Sequence, residues 1–364
     1  MEHALLFFAF PVFVLSMFCM IVYVVYDFYA ITYDSNDSLS LDCCSILLPH
    51  IIQWTKQFGK NFSFALGKTQ FLYIGDGELV REMSLCKSFE LGKPSYLHKE
   101  RGPLLGKGIL TTSKEAWVHQ RKTIAPIFYV DKVKNMLSIV LESGNALTKS
   151  WEKLVEAEGG IADIRVDDYV KTFTSSIFSN VMFGRYEAAE KVLFSKCRDL
   201  MEVSGSPTVV DGHPFSRFYP TKIHRQQWTL VKEIYWIIQD IEMKFDNDNC
   251  KELCTVAMEV PGTTAIWGLM LLALHPDWQA RARAEVLEIC GDEILDAEKL
   301  GKMKVLKMII QEILRLYSGA GFTAREALAD VQIGKKVCVP KGVNIWIWPA
   351  ALHRETLSSG VQML

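Results

Sequence analysis

Apolar residues recur at helical spacing along much of this chain, most clearly in the stretch Met303–Arg325. Its first half carries these residues at i,i+3 and i,i+4 positions: Val305, Leu306, Met308, Ile309, Ile310, Ile313, Leu314 and Leu316. Few polar faces remain, so the pattern predicts a helix buried in a core. Glu312 and Arg315 lie inside it at i,i+3, which places opposite charges on one face. On a surface such a pair is ordinary, whereas in a buried helix both charges must be paired and hydrogen-bonded.

The same period predicts further helices over Lys132–Glu156, Asp167–Phe183, Tyr186–Val203 and Thr221 to about Asp246. In the last of these helices, five residues are expected in the core: Trp228, Ile234, Tyr235, Ile237 and Ile238. The chain therefore reads as mainly helical.

Nearer the amino terminus the pattern changes. A short helix over Leu47–Phe58 is followed by strands over Asn61–Leu66 and Gln70–Ile74. Asp76 is a candidate N-cap for a helix that runs to about Leu85. This run predicts a small β lobe beside the helices.

The remaining segments are assigned from turn residues and short apolar runs. Glycines predict a loop over Arg101–Leu110, and Gly205–Tyr219 is also expected to be a loop. A short strand is expected at Ile161–Val166, and a hairpin at Val331–Ile333 and Val337–Val339.

The first segment of the chain is apolar throughout, and Ala4–Tyr26 contains no charged residue. Roughly 20 apolar residues cross a bilayer. A cleaved signal peptide is the alternative, but its usual preceding basic residues and small-residue cleavage site are missing. We therefore predict a transmembrane anchor within residues 1–30, a linker at 31–45 and one domain at 46–364. Its orientation cannot be read from charge, because no Lys or Arg precedes Lys56.

Composition narrows the possible partners. The 364 residues include 40 Lys+Arg and 42 Asp+Glu, so no broad basic field favours nucleic acid. Nine cysteines are scattered without zinc-type spacing, and the odd number favours reduced thiols on a cytosolic-facing domain.

Four motifs carry a family resemblance. Gln311–Tyr317 contains E-x-x-R, and Trp117–Lys122 contains W-x-x-x-R. Leu271–Gln279 reads as the end of one helix and the turn into the next, and Pro340–Arg354 begins with P-K-G and ends with H-R. In this order, the four motifs resemble those of the cytochrome P450 superfamily over residues 45–354. Their residues are most similar to those of plant enzymes that oxidise gibberellins.

The resemblance implies a P450-like fold, mainly α with a small β lobe, and haem as cofactor. It implies that Trp117, Arg121 and Arg325 bind haem, and that Thr263 acts at oxygen. The Glu312–Arg315 ion pair is implied to be structural. The chemistry is reasonable for Trp117 and Arg121, since an Arg fork and an indole N–H can satisfy the propionates. A packed Trp beside a solvated Arg is the alternative.

The sequence also departs from the family pattern. Gly262 replaces the acidic residue expected before the Thr pair, and Pro261 would break a helix interior at ~3 kcal/mol. Glu259 lies a turn upstream. A haem-thiolate enzyme needs a cysteine ligand, and only Cys338 follows the E-x-x-R helix, in a hairpin without the family's Phe-Gly frame. The sequence therefore predicts no metal ligand and a P450-like domain incomplete at its carboxyl end.

Two function classes follow from the resemblance. In the first, the chain uses oxygen and NADPH-cytochrome reductase to hydroxylate or epoxidise a lipophilic small molecule, such as a gibberellin-like diterpenoid. It would be single-pass in the endoplasmic reticulum membrane, with its domain in the cytosol. In the second, it is a haem-free, membrane-anchored remnant that is inactive or acts only through protein contacts. The missing cysteine favours the second class for this polypeptide.

Overall fold

A computed structural model describes most of the chain from Leu48 onward. The described residues are 48–66, 69–85, 89–129, 132, 134, 136–184, 187–205, 221–241, 247–291, 293–317, 321–334 and 337–358. The predicted anchor, the predicted linker and residues 206–219 of a predicted loop lie outside them.

Helices make up most of the described chain, and they are labelled here in chain order. Their bounds are α1 (Pro49–Phe58), α2 (Gly77–Leu85), α3 (Ser95–Leu105), α4 (Lys114–Ile124), α5 (Leu137–Ala157), α6 (Val166–Phe183), α7 (Ala188–Gly205), α8 (Lys222–Asp240), α9 (Asn247–Leu274), α10 (Pro276–Cys290), α11 (Ala297–Lys302), α12 (Lys304–Leu316) and α13 (Pro349–Ser358). A short 3-10 turn, Ala125–Phe128, follows α4.

The strands form two small sheets. Their bounds are β1 (Asn61–Leu66), β2 (Thr69–Ile74), β3 (Leu91–Gly92), β4 (Thr323–Ala327), β5 (Val331–Ile333), β6 (Val337–Val339) and β7 (Asn344–Ile347). The larger sheet has the order β1-β2-β7-β4-β3, in which β2 and β7 are parallel and the other pairs antiparallel. The hairpin predicted near the carboxyl end is the antiparallel pair β5–β6. The prediction of a mainly helical chain with a small β region is confirmed.

Most predicted elements are present close to their expected bounds. The helix expected after Asp76 is α2, and the Asp76 Oδ1 accepts a hydrogen bond from Glu78 N at 2.8 Å. The first predicted helix is α1, and the four longer amphipathic segments correspond to α5 through α8. Thr221 caps α8, since its side chain accepts from His224 N at 3.1 Å.

The loop predicted over Arg101–Leu110 is wrong in its first half, where α3 continues to Leu105. Gly102 in a helix interior costs about 1 kcal/mol relative to alanine. Half-buried side chains on α3, such as Leu104 and Leu105, offset that cost by packing. The helix ends at Gly106, whose φ of 60° ordinary residues rarely adopt.

The strand predicted at Ile161–Val166 is also wrong. Residues 161–165 pair with no described strand, and Ile161 is 87% exposed. Val166 instead begins α6. Extended backbone needs a ladder partner to satisfy its polar groups, and β-branched residues alone do not supply one.

The predicted core of α8 needs correction. Leu230, Ile234 and Ile238 are buried at i,i+4 spacing, which defines the inner face. Trp228 and Tyr235 lie off that face and are 44% and 45% exposed. The prediction that Trp228 and Tyr235 lie in the core is therefore wrong, because the helical period, and not apolar character alone, decides which side chains point inward.

The described chain divides into two compact units. We call residues 122–195 and 253–317 the helical unit, and residues 48–121, 196–252 and 321–358 the sheet unit. One core of the sheet unit joins the larger sheet to the β5–β6 hairpin and α2 through Ile74, Met83, Ala327, Val331, Ile333, Val339, Ile345 and Ile347. A second, aromatic-rich core contains Ile51, Phe62, Tyr73 and Trp348.

The helical unit is built around α12, as the apolar pattern predicts. Four of its side chains are at most 7% exposed: Leu306, Ile309, Ile310 and Ile313. Its first turn is capped by Glu285 of α10, which accepts three backbone N–H donors at 2.6 to 2.9 Å. At its other end, the Tyr317 ring stacks on Trp267 of α9 with centroids 3.8 Å apart. The E-x-x-R helix is thus fixed at both ends.

Helix α9 continues through Pro261, contrary to the expectation that this residue would break it. A proline removes one backbone donor and opens the preceding turn. The Thr174 hydroxyl of α6 donates to the Met258 carbonyl in that turn at 3.0 Å. Pro261 removes the donor to the Ala257 carbonyl. The Thr174 bond supports the neighbouring Met258 carbonyl, whose own helical donor, Gly262 N–H, follows the proline.

By length and composition, α9 over residues 248–274 is the described helix that could cross a membrane. Buried core helices meet the same criterion, and 44% of the tested window of α9 is buried inside the protein. The apolar segment at residues 4–26 lies outside the described residues.

Candidate functional site

Helix α4 places Trp117 and Arg121 one turn apart, as their spacing predicts. The Arg121 guanidinium carbon lies 5.0 Å from the centroid of the indole, a cation–π distance. Both side chains are half-buried. The pair is thus oriented by mutual contact, and this contact leaves the guanidinium edge available for an acceptor.

Arg325 lies in the middle of β4, opposite Ile345 of β7. Its Nη1 donates to the Ala324 carbonyl at 3.1 Å. Burial lowers the pKa of the guanidinium from its ordinary value. Arg325 forms no ion pair with a carboxylate within the described part of the chain.

A third cation, Lys93, joins these arginines. Strand β3 pairs with β4 so that Gly92 lies opposite Glu326, and the next step of that register sets Lys93 beside Arg325. The Lys93 N–H donates to the Ser113 hydroxyl at 2.7 Å, just before α4 begins. Sequence reasoning missed Lys93, because only strand pairing brings it to this site.

The charge of Lys93 is influenced by both arginines. The pKa of Lys93 is lowered to about 8, first by burial and then by Arg325, with a smaller contribution from Arg121. Glu252 of α9 opposes this effect. We call Lys93, Arg121 and Arg325 the cationic cluster, and it lies within the sheet unit.

Such a cluster is suited to an anionic ligand. Like charges repel, and a half-buried group of three cations is tolerated best when an anion completes it. The two propionates of a haem fit this requirement, and Trp117 adds an N–H donor. The residues present thus fit the carboxylate edge of haem.

A glycine-containing loop before α4 is held by the first turns of α9. We call residues 106–112 the clamp loop. Its backbone N–H groups donate to α9 side chains in three bonds: Lys107 N to Asp248 Oδ2 at 2.8 Å, Ile109 N to Asn249 Oδ1 at 2.8 Å and Leu110 N to Glu252 Oε2 at 2.9 Å. These contacts, also within the sheet unit, span about 140 residues of sequence.

The predicted oxygen-face residue, Thr263, lies on α9 in the helical unit and is half-buried. Its hydroxyl makes no hydrogen bond to another described residue, whereas the Thr264 hydroxyl donates to the Val260 carbonyl at 2.8 Å. Of the two threonines, Thr263 is therefore the one that can serve a ligand. The cationic cluster belongs to the other unit.

Glu259, one turn before the Thr pair, faces a lysine of α6. Its Oε1 lies 3.6 Å from the Lys171 Nζ of α6, and both side chains are mostly buried. Lys171 also lies 3.2 Å from Asp167 Oδ2. The Glu259 carboxylate is thus held in a structural network one turn before Thr263.

The predicted Glu312–Arg315 pair is formed with two-point geometry. Arg315 Nε and Nη2 donate to the two Glu312 oxygens at 2.7 and 2.6 Å. The side chains are 43% exposed for Glu312 and 21% for Arg315. The pair thus lies at the edge of the core and not deep inside it. At such a partly exposed position, an ion pair contributes only modestly to stability.

The described cysteines do not form an obvious metal site. Cys197, Cys250, Cys254 and Cys290 are buried in helices, and Cys338 is exposed on β6. Within the described residues, no group of three His, Cys, Asp or Glu side chains could hold a metal ion.

Comparison with known proteins gives the same family as the motifs. The family model "Cytochrome P450" matches residues 46–259 and 247–357. The two matched segments overlap over residues 247–259, in the first turns of α9.

Plant proteins are among the curated relatives. Cytochrome P450 714C2 of Oryza sativa subsp. japonica is 38% identical over 354 residues, covering 88% of this chain and 68% of that protein. Cytochrome P450 714B3 of Zea mays is 38% identical, with 84% and 63% covered. Cytochrome P450 714A2 of Arabidopsis thaliana is 33% identical, with 88% and 69% covered. The chain thus spans about two thirds of the length of these relatives.

Solved structures share the fold at low sequence identity. The crystal structure of the cytochrome P450DA heme domain matches with a TM-score of 0.70 at 19% identity, covering 86% of this chain and 74% of that one. Retinoic acid bound cyanobacterial CYP120A1 matches with a TM-score of 0.64 at 19% identity, covering 83% and 72%.

Proposed function

The chain belongs to the cytochrome P450 family, and from that membership we propose that it is a haem-dependent monooxygenase of lipophilic small molecules. The substrate class that we propose is a gibberellin-like diterpenoid. This choice is supported by the resemblance to plant enzymes that oxidise gibberellins and by the plant relatives.

The cationic cluster is the observation that carries the proposal. Lys93, Arg121 and Arg325 approach one another in the sheet unit without a carboxylate ion pair among the described residues. An acidic ligand with two carboxylates would relieve the mutual repulsion of these groups. When bound, haem supplies the iron chemistry that activates dioxygen for insertion into a C–H or C=C bond.

Each site residue has a distinct proposed role. Arg121 and Arg325 donate charge-assisted hydrogen bonds to the cofactor carboxylates, and Trp117 orients Arg121 and adds an indole N–H. Lys93 adds a third positive charge. The Thr263 hydroxyl is available to hold a proton for the reaction, since the Thr264 hydroxyl already donates to the Val260 carbonyl.

The proposed setting follows from the same resemblance. Residues 4–26 anchor the chain in the endoplasmic reticulum membrane, with the described residues in the cytosol. Electrons reach the protein from an NADPH-cytochrome reductase. The lipophilic substrate reaches it from the membrane.

A second candidate function is a haem-free protein that acts only through protein contacts. It is favoured by Cys338, whose thiol is exposed on β6. A thiolate ligand in this family needs a protected frame around its sulfur.

A reduced carbon-monoxide difference spectrum of membranes containing the full chain separates the two functions. If the chain is the monooxygenase, we expect a Soret band that is weaker in the Arg121→Gln/Arg325→Gln double variant, since the donors to the cofactor carboxylates are lost. An immunoblot shows that equal amounts of protein are compared. No band despite abundant protein would reject the monooxygenase and leave the haem-free function. A band abolished by Cys338→Ser would identify the iron ligand.

A further inference from the structure

The contacts between the clamp loop and α9 are unusually specific. Three side chains in the first turns of α9 each accept a hydrogen bond from one loop N–H: Asp248, Asn249 and Glu252. Asn249 and Glu252 are 2% and 1% exposed. A carboxylate buried at this level requires strong donors, so the loop N–H groups and the acceptors fix one another.

Two glycines allow this approach. A Cβ at Gly108 would overlap the Glu252 carboxylate, and one at Gly106 would overlap the Asp248 carboxylate. Glycine, which has no Cβ, is therefore needed where the loop meets α9. Gly108 has an ordinary φ, so only the lack of space requires glycine there.

The loop is also tied to α4. The Gln120 Nε2 donates to the Lys107 carbonyl at 2.9 Å, and its Oε1 accepts from the Thr112 hydroxyl at 2.5 Å. Gln120 precedes Arg121 and lies less than one turn from Trp117. A displacement of the clamp loop is thus transmitted to the turn of α4 that carries both proposed cofactor ligands.

We propose that Asp248, Asn249 and Glu252 are positioning residues that set the Arg121–Trp117 pair for carboxylate binding through the clamp loop. The inference rests on the proposed function, because it concerns how the residues that bind the cofactor carboxylates are held in position. The three residues touch neither cofactor nor substrate in this scheme. Their contribution is to hold the donors of α4 in place.

Gly108→Ala is the central variant for a test. Its new Cβ displaces the Glu252 carboxylate, which also acts on the charge of Lys93, so a variant at the uncharged Asn249 is needed beside it. Gly102→Ala in α3 is the matched control, since a Cβ there meets nothing within 4 Å. Asn249→Ala removes one clamp acceptor directly and provides an independent second variant.

The measurement compares two ligands on the full chain in detergent. Haem and haem dimethyl ester are titrated by Soret absorbance, because the ester keeps the ring and iron but lacks the carboxylates. Thermal unfolding of each haem-free variant is followed in parallel. A purely structural role would weaken both ligands together or lower the unfolding midpoint alone, whereas a positioning role changes the preference between the ligands.

We expect Gly108→Ala and Asn249→Ala to bind haem roughly fivefold to tenfold more weakly while their affinity for the dimethyl ester stays within about twofold. Gly102→Ala should match the unmodified chain for both ligands. Because Gly108→Ala and Glu252→Ala act on one contact, the double variant should lose less than the product of the two single losses.

The outcomes distinguish the proposed carboxylate site from the proposed positioning role. If the unmodified chain binds haem no better than its dimethyl ester, the carboxylate site and the inference that depends on it both fail. If the unmodified chain prefers haem and both clamp variants keep the same preference, only the inference fails. Equal losses for both ligands would likewise reject a positioning role.

Discussion

At the scale of single residues, the site depends on charges that the sequence scatters over more than 230 positions. Lys93, Arg121 and Arg325 lie on a strand end, a helix and a second strand. Only Arg121 and Arg325 belong to motifs of the family. Lys93 is brought to the site by the pairing of β3 with β4. Its pKa is lowered to about 8 because burial and the neighbouring arginines disfavour its charged form.

Lys93→Met should stabilise the haem-free chain near pH 7 by about 2 kcal/mol, less at higher pH. Below pH 8 the lysine is charged in both folded and unfolded states, so the folded state carries the full cost of the buried charge. From about pH 8 to 10.5 the folded state releases its proton first, and stability rises with pH.

Thermal unfolding of the two chains at pH 7 and pH 10 measures this effect. Lys307→Met, at an exposed position of α12, controls for the loss of a surface charge. A stabilisation of Lys93→Met that is the same at both pH values would show that charge burial is not its cause.

At the scale of elements, α9 shows how packing overrides a local signal. Pro261 lacks the N–H that a helix interior requires, yet the helix runs for 28 residues. The Thr174 hydroxyl from α6 reaches the Met258 carbonyl in the disturbed turn. Packing around the buried Pro261, with this bond to the adjacent carbonyl, therefore accommodates a residue that the sequence pattern alone would exclude.

Thr174→Val should destabilise the chain by about 1–2 kcal/mol, because it leaves a buried carbonyl without its outside donor. Pro261→Ala restores the N–H that bonds the Ala257 carbonyl and lets the next bond, from Gly262 N–H to the Met258 carbonyl, tighten. In that background the cost should therefore fall to less than half. Thermal unfolding of the four chains in a double-mutant cycle measures this coupling.

Thr172→Val is the matched control for that cycle. Among the described residues, its exposed hydroxyl bonds only to the Asp168 carbonyl of its own helix, at 2.8 Å. A Thr174→Val cost no greater than that of Thr172→Val, or one equal in both backgrounds, would contradict the compensation.

At the scale of the whole molecule, the chain combines two compact units with the proposed membrane anchor. The helical unit contains α12 and its ion pair, and the sheet unit contains the cationic cluster and the clamp loop. Helix α9 contributes residues to both units. The proposed anchor is the uncharged segment at residues 4–26.

We expect the full chain to remain in the membrane pellet after an alkaline carbonate wash. Val14→Lys/Val22→Lys should release much of it, because each charge in the bilayer costs about 2.5–3.5 kcal/mol. Val14→Leu/Val22→Leu serves as the control, and an immunoblot of both fractions gives the result. Full release of the unmodified chain would reject the anchor, and retention of the lysine variant would point to attachment elsewhere.

The sequence by itself determined the features that depend on local spacing. The apolar period of α12 identified its buried face, and Asp76 marked the start of α2. The spacing of Trp117 and Arg121, and that of the Glu312–Arg315 pair, placed each on one helix face. Such features follow from helix geometry, which is the same wherever the helix lies in the fold.

Tertiary structure decided what depends on residues far apart in sequence. The β3–β4 register brought Lys93 to Arg325, and α9 captured the clamp loop across about 140 residues. Packing kept α3 helical through Gly102 and α9 helical through Pro261. In each case local propensity costs a few kcal/mol at most, and contacts formed only in the folded chain exceed that cost.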